Sequence, residues 1–327
     1  MDKTDILNKA VSVVVPVYNR EGLIVRSLDS IKAQTYRPID LIVVDNNSTD
    51  GSAAVVKDWI SANTSDDFRV SLLHQPVPGA MAARQMGLDA VDTEHVVFFD
   101  SDDAMRSELL STAMENIEDN DIFVWRRVVH EAGGREFINR KFRGNLIRRH
   151  LFNGLLATQV YMVRTMFLRE CGGWNGKLRG WNDWEVGTRL LLRNPRIKIT
   201  DRPLCDVYCQ EESITGVDFQ SKAGVWEEAL DTIEKDIRNA CPLIEKWRRE
   251  ESSLYKDHDA NRLLGYVNYR RAILAAHYRK EGRMDLAAPL MIKAKDAYMG
   301  NPLRRILLKC IYCYTAAGGR GAYYLWY

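Results

Sequence analysis

Hydrophobic positions follow two regimes along the chain. As far as about residue 103, short runs of apolar, mostly β-branched residues alternate with amphipathic stretches. Val11 to Pro16 (VSVVVP) and Ile39 to Val44 are apolar almost throughout, as expected of parallel strands covered on both faces. Arg69 to His74 and His95 to Phe99 continue the series. Between them, Glu21 to Gln34 carries Leu23, Leu28 and Ile31 at helical spacing, with Asn19 placed to cap it. Ser52 to Ser61 and Ala80 to Ala90 predict two more helices. This alternation with short loops predicts right-handed βαβ units, a mostly parallel sheet and a ligand at the carboxyl ends of the strands.

After Asp121 the alternation loosens. Ile122 to His130 and Thr158 to Val163 predict further strands, and a Gly/Trp-rich loop from Cys171 to Trp181 precedes a helix over Asp183 to Arg193. From Val217 onward only helical periodicity remains, punctuated by Pro242, Gly282 and Pro302. Arg262 to Lys280 followed by Asp285 to Met299 has the pattern of a helical hairpin.

Composition narrows the classes. With 46% hydrophobic and 28% charged residues, the 327-residue chain can fill a core, which excludes wholesale disorder. The net charge of +2 excludes a generally basic, nucleic-acid-coating protein, so no nucleic-acid partner is expected. Charge is nevertheless uneven: from Lys246 to Tyr327 there are sixteen basic and seven acidic residues. Met1 to Ala10 is too polar for a secretory signal, and no window reaches the ~18 uninterrupted apolar residues of a spanning helix. Six scattered cysteines lack the density of a disulfide scaffold, and Cys310-x-x-Cys313 has no second pair for zinc. A cytoplasmic protein is expected.

Three acidic clusters stand where the strands end. Asp100-Ser101-Asp102-Asp103 places carboxylates side by side, and a hard divalent cation such as Mg²⁺ or Mn²⁺ would relieve their repulsion. The same turn also reads as a solvated helix cap. Asp45 can accept a hydrogen bond from a base N–H, or form an Asx-turn. Asp183, within Trp181-Asn182-Asp183-Trp184-Glu185, can serve as general base, or cap the helix it begins. Phosphate-loop, dinucleotide and Ser/Cys nucleophile motifs are absent.

The order of the pieces is more specific than any one of them. PVYNR, DNNSTDGS, AARQMGLDA, FFDSDD and GGWNGKLRGWNDWE together resemble the family 2 inverting glycosyltransferases of the GT-A fold, of the kind that builds bacterial cell-surface polysaccharides. The resemblance covers about Val11 to Thr215 and implies a GT-A catalytic domain over 1–215. Its nucleotide-sugar half would span about 1–103 and its acceptor half about 104–215, leaving 216–327 as a helical extension. By the same resemblance, Pro16, Val17 and Tyr18 would line the base pocket, and Asp45 would accept the uracil N3–H. Arg84 would approach base and diphosphate, Asp100 would face the ribose, and Asp102 would ligate Mn²⁺ or Mg²⁺. Asp183 would be the catalytic base and Trp181 would wall the donor–acceptor cleft.

Two positions depart from the family pattern. Asn182 stands for the Glu of its Glu-Asp pair, and in Tyr208-Cys209-Gln210-Glu211 the acidic Glu211 falls where many members carry a His. Glu211 is therefore a second candidate metal ligand. The resemblance implies metal-dependent transfer from a UDP-sugar to a hydroxyl of a glycan or lipid-linked glycan. A catalytically inactive nucleotide-sugar binding protein and a nucleotidyltransferase are the alternatives. Residues 297–327 hold four basic residues, no acidic one and seven aromatics. On a helix through Leu303 to Tyr314, Arg304, Arg305 and Lys309 oppose Ile306, Leu307, Cys310 and Ile311. Together with Tyr323, Tyr324, Trp326 and Tyr327, this composition suits either an anionic membrane surface on the inner face of the cell membrane or a helix packed on the domain.

Overall fold

The computed structural model describes residues 10–139, 141–209, 219–319 and 321–322. Every residue of β1 (Val11–Val17) is buried, which is why it sits in mid-sheet. It pairs in parallel with β2 (Ile39–Asp45) and β4 (His95–Phe98), and β2 pairs in parallel with β3 (Phe68–His74). The register sets Val17, Asp45 and His74 side by side at the carboxyl ends of three adjacent strands. Helices α1 (Ile24–Lys32), α2 (Ser52–Asn63) and α3 (Ala80–Asp89) are the crossovers. Gly87 of α3 is there for close approach, since a Cβ would stand 2.3 Å from the Val14 Cγ1 of β1.

One cap expected from the sequence is not made. α1 starts at Ile24 after Leu23, without a side-chain cap. Asn19 instead adopts φ 50° and its Oδ1 accepts from the Thr49 N–H at 2.8 Å, tying the first strand–helix turn to the second. Helix propensity lost to tertiary bonding between loops.

The second half adds β5 (Ala104–Met105), α4 (Leu109–Ile117), β6 (Ile122–His130), β7 (Glu136–Ile138), α5 (Leu146–Asn153), β8 (Tyr161–Arg164), α6 (Thr165–Glu170), α7 (Asn182–Leu192) and β9 (Ile197–Tyr208). The sheet runs β3-β2-β1-β4-β8-β6-β9-β5, with β7 on β6. β8 is antiparallel to both β4 and β6, whereas β9 runs parallel to β6. The strand expected from Thr158 begins with a 3₁₀ turn, Thr158–Val160, before β8. β9 escaped the pattern because only Leu204 and Cys205 are fully buried along its twelve residues.

The chain forms two compact units. The first holds residues 1–143, 156–186 and 195–211 and contains the sheet. The second holds 144–155, 187–194 and 212–327. It is built from α8 (Val225–Asn239), α9 (Cys241–Arg249), α10 (Ala260–Lys280), α11 (Met284–Asp296) and α12 (Pro302–Ala316), joined by α5. The predicted hairpin is α10 and α11, turning at Gly282 with φ 77°. Arg271 of α10 is buried, but its charge meets Asp231 at 2.8 Å, Glu234 at 2.5 Å and the Asn268 side chain at 2.8 Å. Among the described residues no helix is long and apolar enough to cross a membrane.

His258 in this unit is buried, and neither ring nitrogen has a hydrogen-bond partner. Burial, with Arg262 and Arg148 nearby, pushes its pKa down from 6.5 to about 4, Asp257 and Asp259 opposing. The native state therefore refuses a proton that the unfolded chain accepts. Stability is expected to fall as pH is lowered from 6.5 towards 4, by as much as ~3 kcal/mol. Urea denaturation across that range checks this, and His258→Phe should flatten the dependence.

Candidate functional site

The site grows from the carboxyl ends of β2, β1 and β4 in the sheet unit. Pro16 and Val17 are buried in β1, and Tyr18 just beyond them is 54% exposed. Beside Val17, the Asp45 side chain is buried at the end of β2. Its Oδ2 lies 3.2 Å from His74 Nδ1, while its Oδ1 has no partner at all. An unpaired carboxylate oxygen in a buried position costs about 1–3 kcal/mol or more, so the atom is suited to an incoming donor. Next to it, Asn46 is buried for another reason. Its Oδ1 accepts from the Gly79 N–H at 2.7 Å and its Nδ2 donates to the Gln75 and Val77 carbonyls at 3.1 and 2.7 Å. That pins the loop leading into α3.

From α3, Arg84 reaches inward and meets Asp100 Oδ1 at 2.6 Å. Its guanidinium lies 5.2 Å from the Trp174 ring centre, and its Nε has no partner. The other oxygen of Asp100 accepts from Gln159 Nε2 at 2.6 Å, and the same nitrogen donates to Asp103 Oδ2 at 2.8 Å. Asp103 Oδ1 accepts from the Tyr208 N–H at 3.0 Å. Burial, then the charges of Asp100 and Asp102, push the Asp103 carboxyl up to about 8. Asp103 is thus an internal brace of the acidic turn.

Asp102 differs. It is partly open, 3.4 Å from Arg20, and pushed above the usual carboxylate range by burial and by Asp100, with Arg20 opposing. α1 fixes the turn from below through Arg26, which donates to the Asp102 carbonyl, and Ser27, which donates to the Asp103 carbonyl at 2.6 Å. Arg26, Tyr208 and His130 form a stack, 3.9 Å and 4.5 Å apart, and His130 Nε2 lies 2.8 Å from Asp206.

The third cluster arrives at the same place. Trp181 takes φ 49° to turn the chain into α7, and it packs edge-on against Trp184 at 5.4 Å. Asp183 Oδ1 accepts from the Trp184 N–H at 2.9 Å. Burial pushes the Asp183 carboxyl up, Arg84 and Arg127 pull it down, and Asp100 adds to the rise. Asn182 Oδ1 is buried without a partner.

Three contributors are silent in the sequence reading: His74, Gln159 and Arg127. Gln159 carries no charge or motif. Arg127 does have a signal, since an arginine inside the apolar run Ile122–His130 is out of pattern; its buried Nε has no partner.

Among the described residues no three His, Cys, Asp or Glu side chains converge as a metal cage. Glu211 lies outside the described residues. The acidic turn still suits Mg²⁺ or Mn²⁺, ions that take one or two carboxylates and complete their shell with phosphate oxygens and water. Asp102 would be the ligand, because Asp100 is committed to Arg84 and Gln159 while Asp102 is partly open.

Comparison with known proteins agrees with this layout. The model of glycosyl transferase family 2 matches residues 12–171. The glycosyltransferase GlyG of Streptococcus pneumoniae serotype 4 is 34% identical over 116 residues, which are 35% of this chain and 37% of GlyG. A GalNAc(5)-diNAcBac-PP-undecaprenol β-1,3-glucosyltransferase of Campylobacter jejuni is 32% identical over 135 residues, 41% of this chain and 42% of the relative. The chain thus spans less than half the length of these curated relatives. In structure, S. aureus TarS 1-349 in complex with UDP-GlcNAc superposes with TM-score 0.58 at 20% identity, covering 87% of this chain and 90% of that one. The mannosyltransferase PcManGT of Pyrobaculum calidifontis, in complex with GDP-Man and Mn²⁺, gives 0.53 at 20% identity, covering 94% and 86%. The expected GT-A fold, a mostly parallel sheet with a helical C-terminal region, is the observed one.

Gln159 donates from one nitrogen to two carboxylates of the turn, so its loss should be costly. Gln159→Leu is expected to reduce stability by about 2–3 kcal/mol, and Gln159→Glu by more, because it removes the shared donor and sets a further carboxyl against Asp100 and Asp103. Chemical denaturation at neutral pH measures both.

Proposed function

We propose that this chain, which belongs to glycosyl transferase family 2 through residues 12–171, moves a sugar from a nucleotide-diphosphate donor to a hydroxyl of a glycan acceptor with inversion at the anomeric carbon. The observation that carries the reading is the meeting of Asp45, Arg84, Asp100 and Asp183 at one end of the parallel sheet, with Asp45 Oδ1 unpaired. A UDP-sugar fits best. Asp45 Oδ1 would accept the uracil N3–H, and the exposed Tyr18 ring would stack on the base above Pro16 and Val17. Arg84, already on Asp100, would sit between ribose and diphosphate. Trp181 and Asn182 would border the cleft where donor and acceptor meet.

The acceptor hydroxyl attacks the anomeric carbon opposite the leaving nucleotide. As that bond forms and the bond from the anomeric carbon to the diphosphate breaks, Asp183 takes the hydroxyl proton. A base must be ionised yet basic enough to accept the proton. Burial raises Asp183, which makes it more basic, and the guanidinium groups of Arg84 and Arg127 oppose that rise. Asp102 would hold Mn²⁺ or Mg²⁺, which when bound neutralises charge on the diphosphate.

A lipid-linked glycan is the proposed acceptor, supported by the undecaprenol-linked substrate in the name of the Campylobacter jejuni relative. The protein would then work peripherally on the inner face of the cell membrane. The C-terminal helix supports this. α12 buries Leu308 and Ile311 against its own unit, so Ile311 parts from Ile306 and Cys310, with which its spacing grouped it. Leu303 and Ile306 are 78% and 60% exposed, Cys310, Cys313 and Tyr314 continue the same side, and exposed Arg305 and Lys309 flank it. Tyr323, Tyr324, Trp326 and Tyr327 lie outside the described residues.

Three outcomes are expected. Asp183→Asn should lower turnover by at least ~100-fold with nearly unchanged UDP affinity by calorimetry, since the base acts on the acceptor. UDP affinity should depend on Mn²⁺, and Asp102→Asn should lose only that metal-dependent part; equal affinity in EDTA and Mn²⁺ would remove the metal role. The full chain should sediment with anionic liposomes at low salt, and the double variant Leu303→Glu, Ile306→Glu should stay in solution, each basic residue near the surface contributing about 1 kcal/mol.

A further inference from the structure

Asp45 is an unusual acceptor because its two oxygens are in different states. Oδ2 faces His74 Nδ1 at 3.2 Å, whereas Oδ1 is buried without a partner. An ionised carboxylate only accepts, so the shared proton belongs to His74, whose Nδ1–H donates to Oδ2. The pairing is built into the sheet. Asp45 and His74 are register partners at the ends of β2 and β3, and Asp45 is also the register partner of Val17, next to exposed Tyr18. His74 itself is largely open, with 62% of its side chain exposed.

We infer that His74 is a specificity-determining residue of the donor site: by engaging Oδ2 of Asp45 it leaves one carboxylate oxygen for the base, and so selects a base offering a single ring N–H. This rests on the nucleotide-sugar reading above. Uracil presents N3–H between two carbonyl oxygens, and one acceptor satisfies it. Guanine presents N1–H and the adjacent 2-amino group together, a donor pair that asks for both oxygens of a carboxylate. With His74 on Oδ2, that oxygen has only one acceptor site left, so guanine's donor pair is met less well than uracil's single N–H, a mismatch that discriminates. Adenine and cytosine present a ring nitrogen lone pair at the corresponding edge, which a carboxylate repels. The choice between uracil and guanine matters on this fold, because S. aureus TarS is known in complex with UDP-GlcNAc and PcManGT in complex with GDP-Man.

His74 touches the base only through Asp45, so its role is to position and to occupy. The test is calorimetric titration of UDP and of GDP, each with Mn²⁺, into the full chain, His74→Ala and His74→Asn. The wild-type protein should prefer UDP by at least tenfold. His74→Ala frees Oδ2 and should shrink the UDP:GDP affinity ratio at least tenfold, by weakening UDP and strengthening GDP. His74→Asn keeps an N–H near the position of Nδ1 and should restore most of the ratio, which a merely structural role would not do. With a UDP-sugar, His74→Ala should raise KM and leave kcat nearly unchanged. An unchanged ratio in His74→Ala, or the same loss in His74→Asn as in His74→Ala, would overturn the inference while UDP binding by the wild type upheld the donor reading. A wild-type protein that binds neither nucleotide would overturn both.

Discussion

Negative charge crowded into a poorly solvated corner is the constraint around which the sheet unit is arranged. The charge of Asp100 raises the carboxyls of Asp102, Asp103 and Asp183 where the strands end, and Asp102 adds to the rise of Asp103. Such a cluster drives its carboxyls towards taking up protons, as Asp103 does, and cations or donors oppose that. The chain answers each in a different way. Arg84 and Gln159 hold Asp100, Gln159 and the Tyr208 N–H hold Asp103, and Arg20 stands by Asp102. Asp183 has the Trp184 N–H and the fields of Arg84 and Arg127. Because Arg84 serves both Asp100 and Asp183, a ligand that drew it towards a diphosphate would alter both carboxylates at once.

The backbone makes this crowding tolerable. Parallel strands buried on both faces bring their carboxyl ends to one edge, where loops can place polar groups without breaking the ladders. Asn46 and Asn19 spend their side chains on neighbouring loops, stiffening the floor on which the charged groups stand. Gly87 lets α3, which carries Arg84, lie against β1.

The helical unit follows a different logic. Its charged interior residue, Arg271, is matched by two carboxylates and an amide, while His258 is buried unmatched. Its last helix keeps apolar residues on both sides. Leu308 and Ile311 face in, Leu303 and Ile306 face out, and the outward side has basic neighbours. A helix wet on one side ordinarily carries polar residues there, and this one exposes Leu303 and Ile306 instead.

Apolar runs and helical spacing were sufficient to place β1 to β4, β6 and α7, because a buried strand must be apolar and an amphipathic helix must repeat. The same reading singled out Asp45, Asp100 and Asp102 as carboxylates directly after buried strands, which are costly unless a ligand or partner meets them, and Asp183 at a helix start; the family resemblance added Arg84. It did not reach β9, whose twelve residues are mostly half-exposed and so lack a strong period. Nor did it separate Asp103 from Asp102. Only the fold decides that Tyr208, 105 positions along the chain, donates to Asp103 and leaves Asp102 open. Gln159 and His74 belong to the same class. A neutral amide and an exposed histidine carry no pattern along the chain, and their meaning comes from strands that set them against carboxylates distant in sequence. Residue type and local period determine which groups exist at strand ends; pairing between distant segments determines which of those groups are already satisfied and which are free to meet a substrate.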